Sequence, residues 1–157
     1  MTAPPAPDLP QRLRSALVEA GFTYDAVAEA LGPVAHAALG RNETTPGLRR
    51  TAGGGALETL IRLFLLQAPV ELPAAERALP GLVDRLAAEG FLEQSVGEVA
   101  ARLDVRPYAA DEEHLWVVSD LTPGLDGGSS RVGPDHVLGV SSASVSLAQL
   151  TLREPVG

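Results

Sequence analysis

Cysteine and lysine are both absent from this 157-residue chain. Without cysteine there can be no disulfide and no thiolate metal site. Without lysine, all twelve basic residues are arginine, and they stand against twenty Asp and Glu, for a formal net charge of −8. A surface of that sign repels phosphate on average, so nonspecific nucleic-acid binding would need a local basic patch. The best local candidate is Arg41, Arg49 and Arg50 in a turn-rich segment, with a solvated loop as the plainer reading. Aromatic residues are scarce at 4%, so aliphatic side chains and alanine must fill the core. No apolar run approaches the roughly 18 residues needed to span a bilayer. The opening Met1-Thr-Ala-Pro-Pro-Ala-Pro lacks the basic and apolar regions of a signal peptide. Residues 1–8 are therefore expected to be a disordered lead-in, and the expected compartment is the cytoplasm.

What is present is mostly helical at first. Apolar residues make up 45% of the chain, ordinary for a globular protein. Asp8 can cap a helix to about Ala20, with Leu9, Leu13, Ala16 and Leu17 on one face and Gly21 as its stop. Thr23 can cap a second, with Val27, Ala30 and Leu31 inward and Gly32 ending it. Pro33 suits the first turn of a third, ending near Leu39 and Gly40. Residues 41–55 change character and read as loop, interrupted at most by a short turn. Gly53, Gly54 and Gly55 could cradle a phosphate at a helix start. No strand precedes them and no Lys-Ser/Thr follows, so the pattern is not a P-loop, and a hinge or cap is favoured. Ala56 to Gln67 is a strongly apolar helix, with Leu57, Leu60, Ile61, Phe64 and Leu65 as its core stripe, and should be central. Pro73 to Leu79 and Pro80 to Glu89 form two further helical pieces.

The period then switches to two. Phe91 to Gln94 is short and extended. Val99, Ala101, Leu103 and Val105 alternate with Ala100, Arg102, Asp104 and Arg106 in one half-buried strand, expected to end at Pro107-Tyr108. Ala109 to Glu113 reads as a turn, and Leu115 to Val118 as the next strand. Helices followed by Gly-Phe-Leu-Glu and a two-stranded ribbon match a winged helix. The expected fold is α+β, an N-terminal helical bundle with a winged-helix-like β-wing. Residues 9–121 form the domain, and 122–157 a loop and connector. Within the connector, His136 to Val140 suits a short strand, and Ser144 or Ser142 a cap for a brief helix through Thr151.

Catalytic candidates are few. His36, His114 and His136 lie far apart and have no metal-ligand partner at i+3 or i+4. Asp111, Glu112 and Glu113 read as a solvated loop tip before they read as a metal site. Ser129, Ser130, Ser141, Ser142, Ser144 and Ser146 lack the Gly-x-Ser-x-Gly pattern of a nucleophile elbow. Trp116, the single Trp, suits core or wing packing.

Several stretches, in order, carry a resemblance. They are Ala20-Gly-Phe-Thr-Tyr-Asp25, Leu60-Ile-Arg-Leu-Phe-Leu-Leu66, Leu103-Asp-Val-Arg-Pro-Tyr108, Trp116-Val-Val-Ser-Asp-Leu121 and the closing Val137 to Gly157. Together they resemble the N-terminal domain of actinobacterial S-adenosylmethionine (SAM)-dependent methyltransferases of the Asn/Asp-Pro-Pro-Tyr type, relatives of the HemK-like enzymes. The resemblance implies a substrate-recognition domain followed by a catalytic domain that holds SAM. This chain has no Gly-x-Gly-x-x-Gly, no Pro-Pro-Tyr and no βαβ alternation, so it would stop before the SAM-binding half. No catalytic residue and no metal ligand is carried over, and no cofactor is expected within the chain itself. Ser144 is the only cofactor-site suggestion, as a residue bordering the SAM pocket of a whole enzyme. The implied partners are a catalytic domain and a protein or nucleic-acid substrate, with no membrane and self-association left open. A free-standing winged-helix regulator that binds protein or DNA is the alternative. A DNA reader should carry basic residues on its recognition helix, whereas Pro80 to Glu89 carries only Arg85 against Asp84 and Glu89.

Overall fold

A computed structural model describes residues 8–110, 113–125, 132–140 and 142–151, apart from the side chains of Ala110 and Ser142. The first helices form where their caps place them. α1 (Leu9–Glu19) is capped by the Asp8 carboxylate, which accepts from the Gln11 N–H at 3.1 Å. α2 (Tyr24–Leu39) is capped by the Thr23 hydroxyl, which accepts from the Ala26 N–H at 3.3 Å. Gly32 breaks α2 with φ of 73°, a left-handed conformation that glycine adopts without penalty, and Pro33 starts the second half. The expected second and third helices are thus two arms of one kinked element.

The segment expected to be loop contains a further helix, α3 (Thr45–Arg50), with proline in its first turn. Its Thr-Pro-Gly start reads as a turn, but Gly47 is buried because α3 packs on α2 and Leu66. The apolar central helix starts as α4 (Ala56–Leu60) and continues as a π-helical turn over Ile61–Leu65. There the Leu66 N–H reaches back to the Ile61 carbonyl at 3.0 Å. Leu60, Ile61, Leu63, Phe64, Leu65 and Leu66 are all buried, which makes this segment the centre of the core as expected.

A two-residue strand, β1 (Val70–Glu71), then leads into α5 (Leu72–Ala78). α6 (Val83–Ala88) is shorter than the expected piece from Pro80 to Glu89, because Gly81 takes a positive φ and keeps Pro80-Gly81 in a turn. β2 (Leu92–Ser95) and β3 (Glu98–Ala101) form a hairpin across Val96-Gly97. β1 adds to the other edge of β3, giving an antiparallel sheet of order β1-β3-β2. Helix, strand, two helices and hairpin in that order are a winged-helix-like arrangement within an α+β fold.

The expected single strand from Val99 to Arg106 is in fact two. It breaks at Arg102, whose N–H donates to the Phe91 carbonyl at 2.8 Å. β4 (Leu103–Ala110) then leaves the wing and pairs with β5 (Glu113–Asp120) in a separate ribbon. Pro107 does not end β4; it sits in register with Trp116. In a two-stranded ribbon each strand has one unpaired edge, where the missing proline N–H costs no ladder bond. The expected turn at 109–113 is therefore shorter, and Asp111 and Glu112 lie outside the described residues. His136 to Val140 is irregular rather than a strand. α7 (Ser142–Leu150) includes Ser142 and Ser144 within its first turn, so neither is its cap. Residues 1–7, Ser129, Ser130 and Ser141 lie outside the described residues.

Candidate functional site

The ribbon β4–β5 has two chemically distinct faces, as strand alternation requires. Leu103, Val105 and Val118 line an apolar cleft against Leu9, Leu13 and Phe64. The opposite face carries Asp104, Arg106 and Tyr108 in a row, with Ser119 opposite Asp104 and Val117 opposite Arg106. Such a face ordinarily meets solvent. Here residues 137–140 cross over it. The Val137 N–H donates to Asp120 Oδ2 at 2.7 Å, and the Asp120 N–H donates to the Val137 carbonyl at 3.0 Å. The Tyr108 hydroxyl donates to the Val140 carbonyl at 3.3 Å. A cavity of about 450 Å³ remains between this cover, the ribbon and the end of α2.

Asp104 is buried, with its side chain only 4% exposed. Arg106 holds it in a two-pronged contact, Nη2 to Oδ2 at 2.9 Å and Nε to Oδ1 at 3.4 Å. Burial pushes the Tyr108 hydroxyl above its ordinary pKa, and the nearby Arg106 partly offsets this. The phenol therefore stays protonated near neutrality and keeps its donor role. Ser144 lines the same cavity. The one sequence-suggested site residue thus lies beside Asp104 and Arg106, which the strand alternation puts on the polar face. The alternation was the available signal; the cover over it was not legible.

The other candidates are dispersed. His36 stacks edge-on with Tyr24 at 5.8 Å, and His114 lies 6.2 Å from the Trp116 ring. His136 Nδ1 is 3.9 Å from Asp120 Oδ2. Among the described residues, no three His, Asp or Glu side chains gather as a metal site. The glycine run acts as a helix start. The Gly55 N–H donates to Glu58 Oε2 at 3.2 Å, so a carboxylate of the chain already occupies the position an anion would take. Trp116 packs on the core and donates Nε1–H to the Phe22 carbonyl at 2.8 Å, with the Arg14 guanidinium over its ring.

The arginines mostly hold backbone. Arg12 donates to the Gly81 carbonyl, Arg14 to that of His114, Arg50 to that of Ala30, and Arg62 to those of Leu48 and Thr51. The suggested basic patch is dismantled by the same chemistry. Arg41 pairs with Glu43 at 3.0 Å and Arg50 holds the Ala30 carbonyl, which leaves Arg49 as the patch's one guanidinium without a partner among the described residues. On the wing side, Asp84 accepts from Gln94, Arg85 lies 3.8 Å from Glu89, and Arg102 pairs with Glu93. The face a winged helix would turn toward DNA carries no surplus of positive charge.

These features define a winged-helix-like α+β domain extended by a covered ribbon, with a polar cavity under the cover. The chain belongs to the family described as Domain of unknown function (DUF7059), whose model matches residues 19–102. That span ends where β3 gives way to the separate ribbon. No curated protein and no solved structure matches the chain.

Proposed function

We propose that this chain is the N-terminal substrate-recognition part of a SAM-dependent methyltransferase, acting in the cytoplasm beside a catalytic part that supplies SAM. One observation carries most of the weight. Past the ribbon, Leu138 is 74% exposed, Leu147 69% and Leu150 80%, with Val137, Val140 and Val145 also exposed. So much aliphatic surface in one short stretch is characteristic of a segment that packs against another folded body. The resemblance of Val137 to Gly157 to the lead-in of a methyltransferase catalytic domain names that body.

The test begins with the reading frame after the codon for Gly157. A strand, a glycine-rich loop and an Asn/Asp-Pro-Pro-Tyr motif are expected there. The polypeptide encoded by the continuous frame should bind SAM in calorimetry, while residues 1–157 alone should not bind more tightly than about 100 μM. A frame that stops at Gly157, or an extended polypeptide blind to SAM, would refute the proposal. A free-standing DNA-binding regulator is the weaker reading, because the arginines of α6 and the wing, Arg85 and Arg102, face Glu89 and Glu93.

A further inference from the structure

Asp104 is buried, its side chain 4% exposed, while its partner Arg106 keeps 36% of its side chain exposed. Taking the Asp104 carboxylate out of water is costly, and the partly exposed guanidinium offsets that cost only in part. Two aliphatic side chains of similar size would avoid that cost. The pair instead stands at the wall of a cavity of about 450 Å³, within the roughly 300–1,000 Å³ typical of small-ligand sites. We infer that this cavity binds an uncharged, polyhydroxylated small molecule of the sugar class.

Charge sets the first limit. Asp104 repels an anion and Arg106 repels a cation, and at 2.9 Å they neutralise each other. A strongly charged ligand would gain nothing there. Hydrogen-bond chemistry sets the second. The carboxylate oxygens have lone pairs beyond those used by Arg106, and the guanidinium has N–H groups beyond those given to Asp104. An acceptor and a donor thus lie side by side. Neighbouring hydroxyls of a polyol match that array, because each can donate to a carboxylate oxygen and accept from an N–H. The Ser119 and Thr122 hydroxyls and the Asn42 amide add groups that can both donate and accept. Leu39 and Val117 supply an apolar wall for the C–H face of a ring. The cover is tied down mainly through Val137 and Val140, and Gly139 lies so close to Ser119 that an added Cβ would come within 3.0 Å of its Oγ.

The inference stands whether or not the methyl-transfer proposal does, and the test uses residues 1–157 alone. Two-dimensional amide NMR would follow titration with D-ribose, D-glucose and myo-inositol, with phosphate and acetate as charged comparisons. At least one polyol should give saturable shifts at Asp104, Tyr108, Ser119 and Gly139, with a Kd of about 1 mM or tighter. The double variant Asp104→Asn/Arg106→Gln removes both charges together and leaves no unpaired ion. It should weaken binding at least about tenfold. Should that variant fail to fold, Tyr108→Phe removes one hydroxyl from the site and should still weaken binding by about threefold or more. No saturable shift with any of the three polyols would overturn the inference. So would tighter binding of phosphate or acetate, or equal polyol binding by a folded double variant.

Discussion

Arg62 offers the sharpest test of how the helical part is held together. Its guanidinium donates to the Thr51 carbonyl at 2.8 Å and to the Leu48 carbonyl at 2.6 Å. Both carbonyls belong to the C-terminal end of α3, where four C=O groups lack an intrahelical partner. A hydrogen bond to a charged group contributes about 1.5–3 kcal/mol. Arg62 is only half-buried, so water can replace part of what it supplies. Arg62→Met keeps most of the aliphatic stem and removes the donors. The expected loss is about 2–4 kcal/mol, that is, the sum of two such bonds reduced by about a third for the water that reaches the half-buried guanidinium. For a domain of this size that lowers Tm by roughly 5–15 °C. Urea unfolding followed by far-UV circular dichroism measures it directly, with the midpoint shifting and the slope unchanged. Arg62→Lys supplies one compact ammonium in place of a fork and should recover less than half of the loss. If Arg62→Met lies within about 0.5 kcal/mol of the parent, the range of an ordinary surface change, the two contacts hold nothing and α3 is anchored by packing alone.

Other expectations follow from packing and charge. Phe64→Ala should cost about 3–5 kcal/mol by chemical denaturation, toward the lower end because Phe64 already borders the apolar cleft under α1. Gly47→Ala should destabilise by about 1–2 kcal/mol despite the better helix propensity of alanine, because the new methyl would meet Leu66 Cδ2 at 2.7 Å; thermal melts would show it. Hydrogen exchange by mass spectrometry should be far faster across Ser142–Leu150 than across Ile61–Leu65, and equal protection in a proven monomer would count against an unpartnered α7. Fluorescence anisotropy at physiological salt should find no submicromolar binding to duplex DNA, since the wing and α6 bring no unpaired positive charge.

Local chemistry was legible and long-range chemistry was not. Asp8, Thr23 and Gly32 act within a few residues of themselves, so their capping and breaking roles could be read directly. The central position of Leu60 to Leu66 followed from its being apolar at every position but Arg62. α3 was hidden because Thr-Pro-Gly suits a turn, and only the pocket between α2 and Leu66 makes a helix of it. The break at Arg102 and the passage of β4 through Pro107 depend on which strand lies alongside, which periodicity does not encode. For the candidate site, Asp104 and Arg106 were visible as the polar half of an alternating strand. Nothing nearby announced that residues 137–140 would cross over them, because that cover is irregular and some thirty residues away in the chain.

The arginine-only chemistry makes the fold audible to a protease. Every bond that trypsin can cut in a chain without lysine follows an arginine. Arg12, Arg14, Arg50 and Arg62 each have the guanidinium engaged by a carbonyl elsewhere in the domain. The enzyme's specificity pocket must take that same guanidinium, so it competes directly with the contact that organises the fold. Cleavage after any of these residues therefore requires the contact to open first. Cutting rates at low protease concentration would rank these openings in free energy, and the fragment masses would show which carbonyl lets go before the rest.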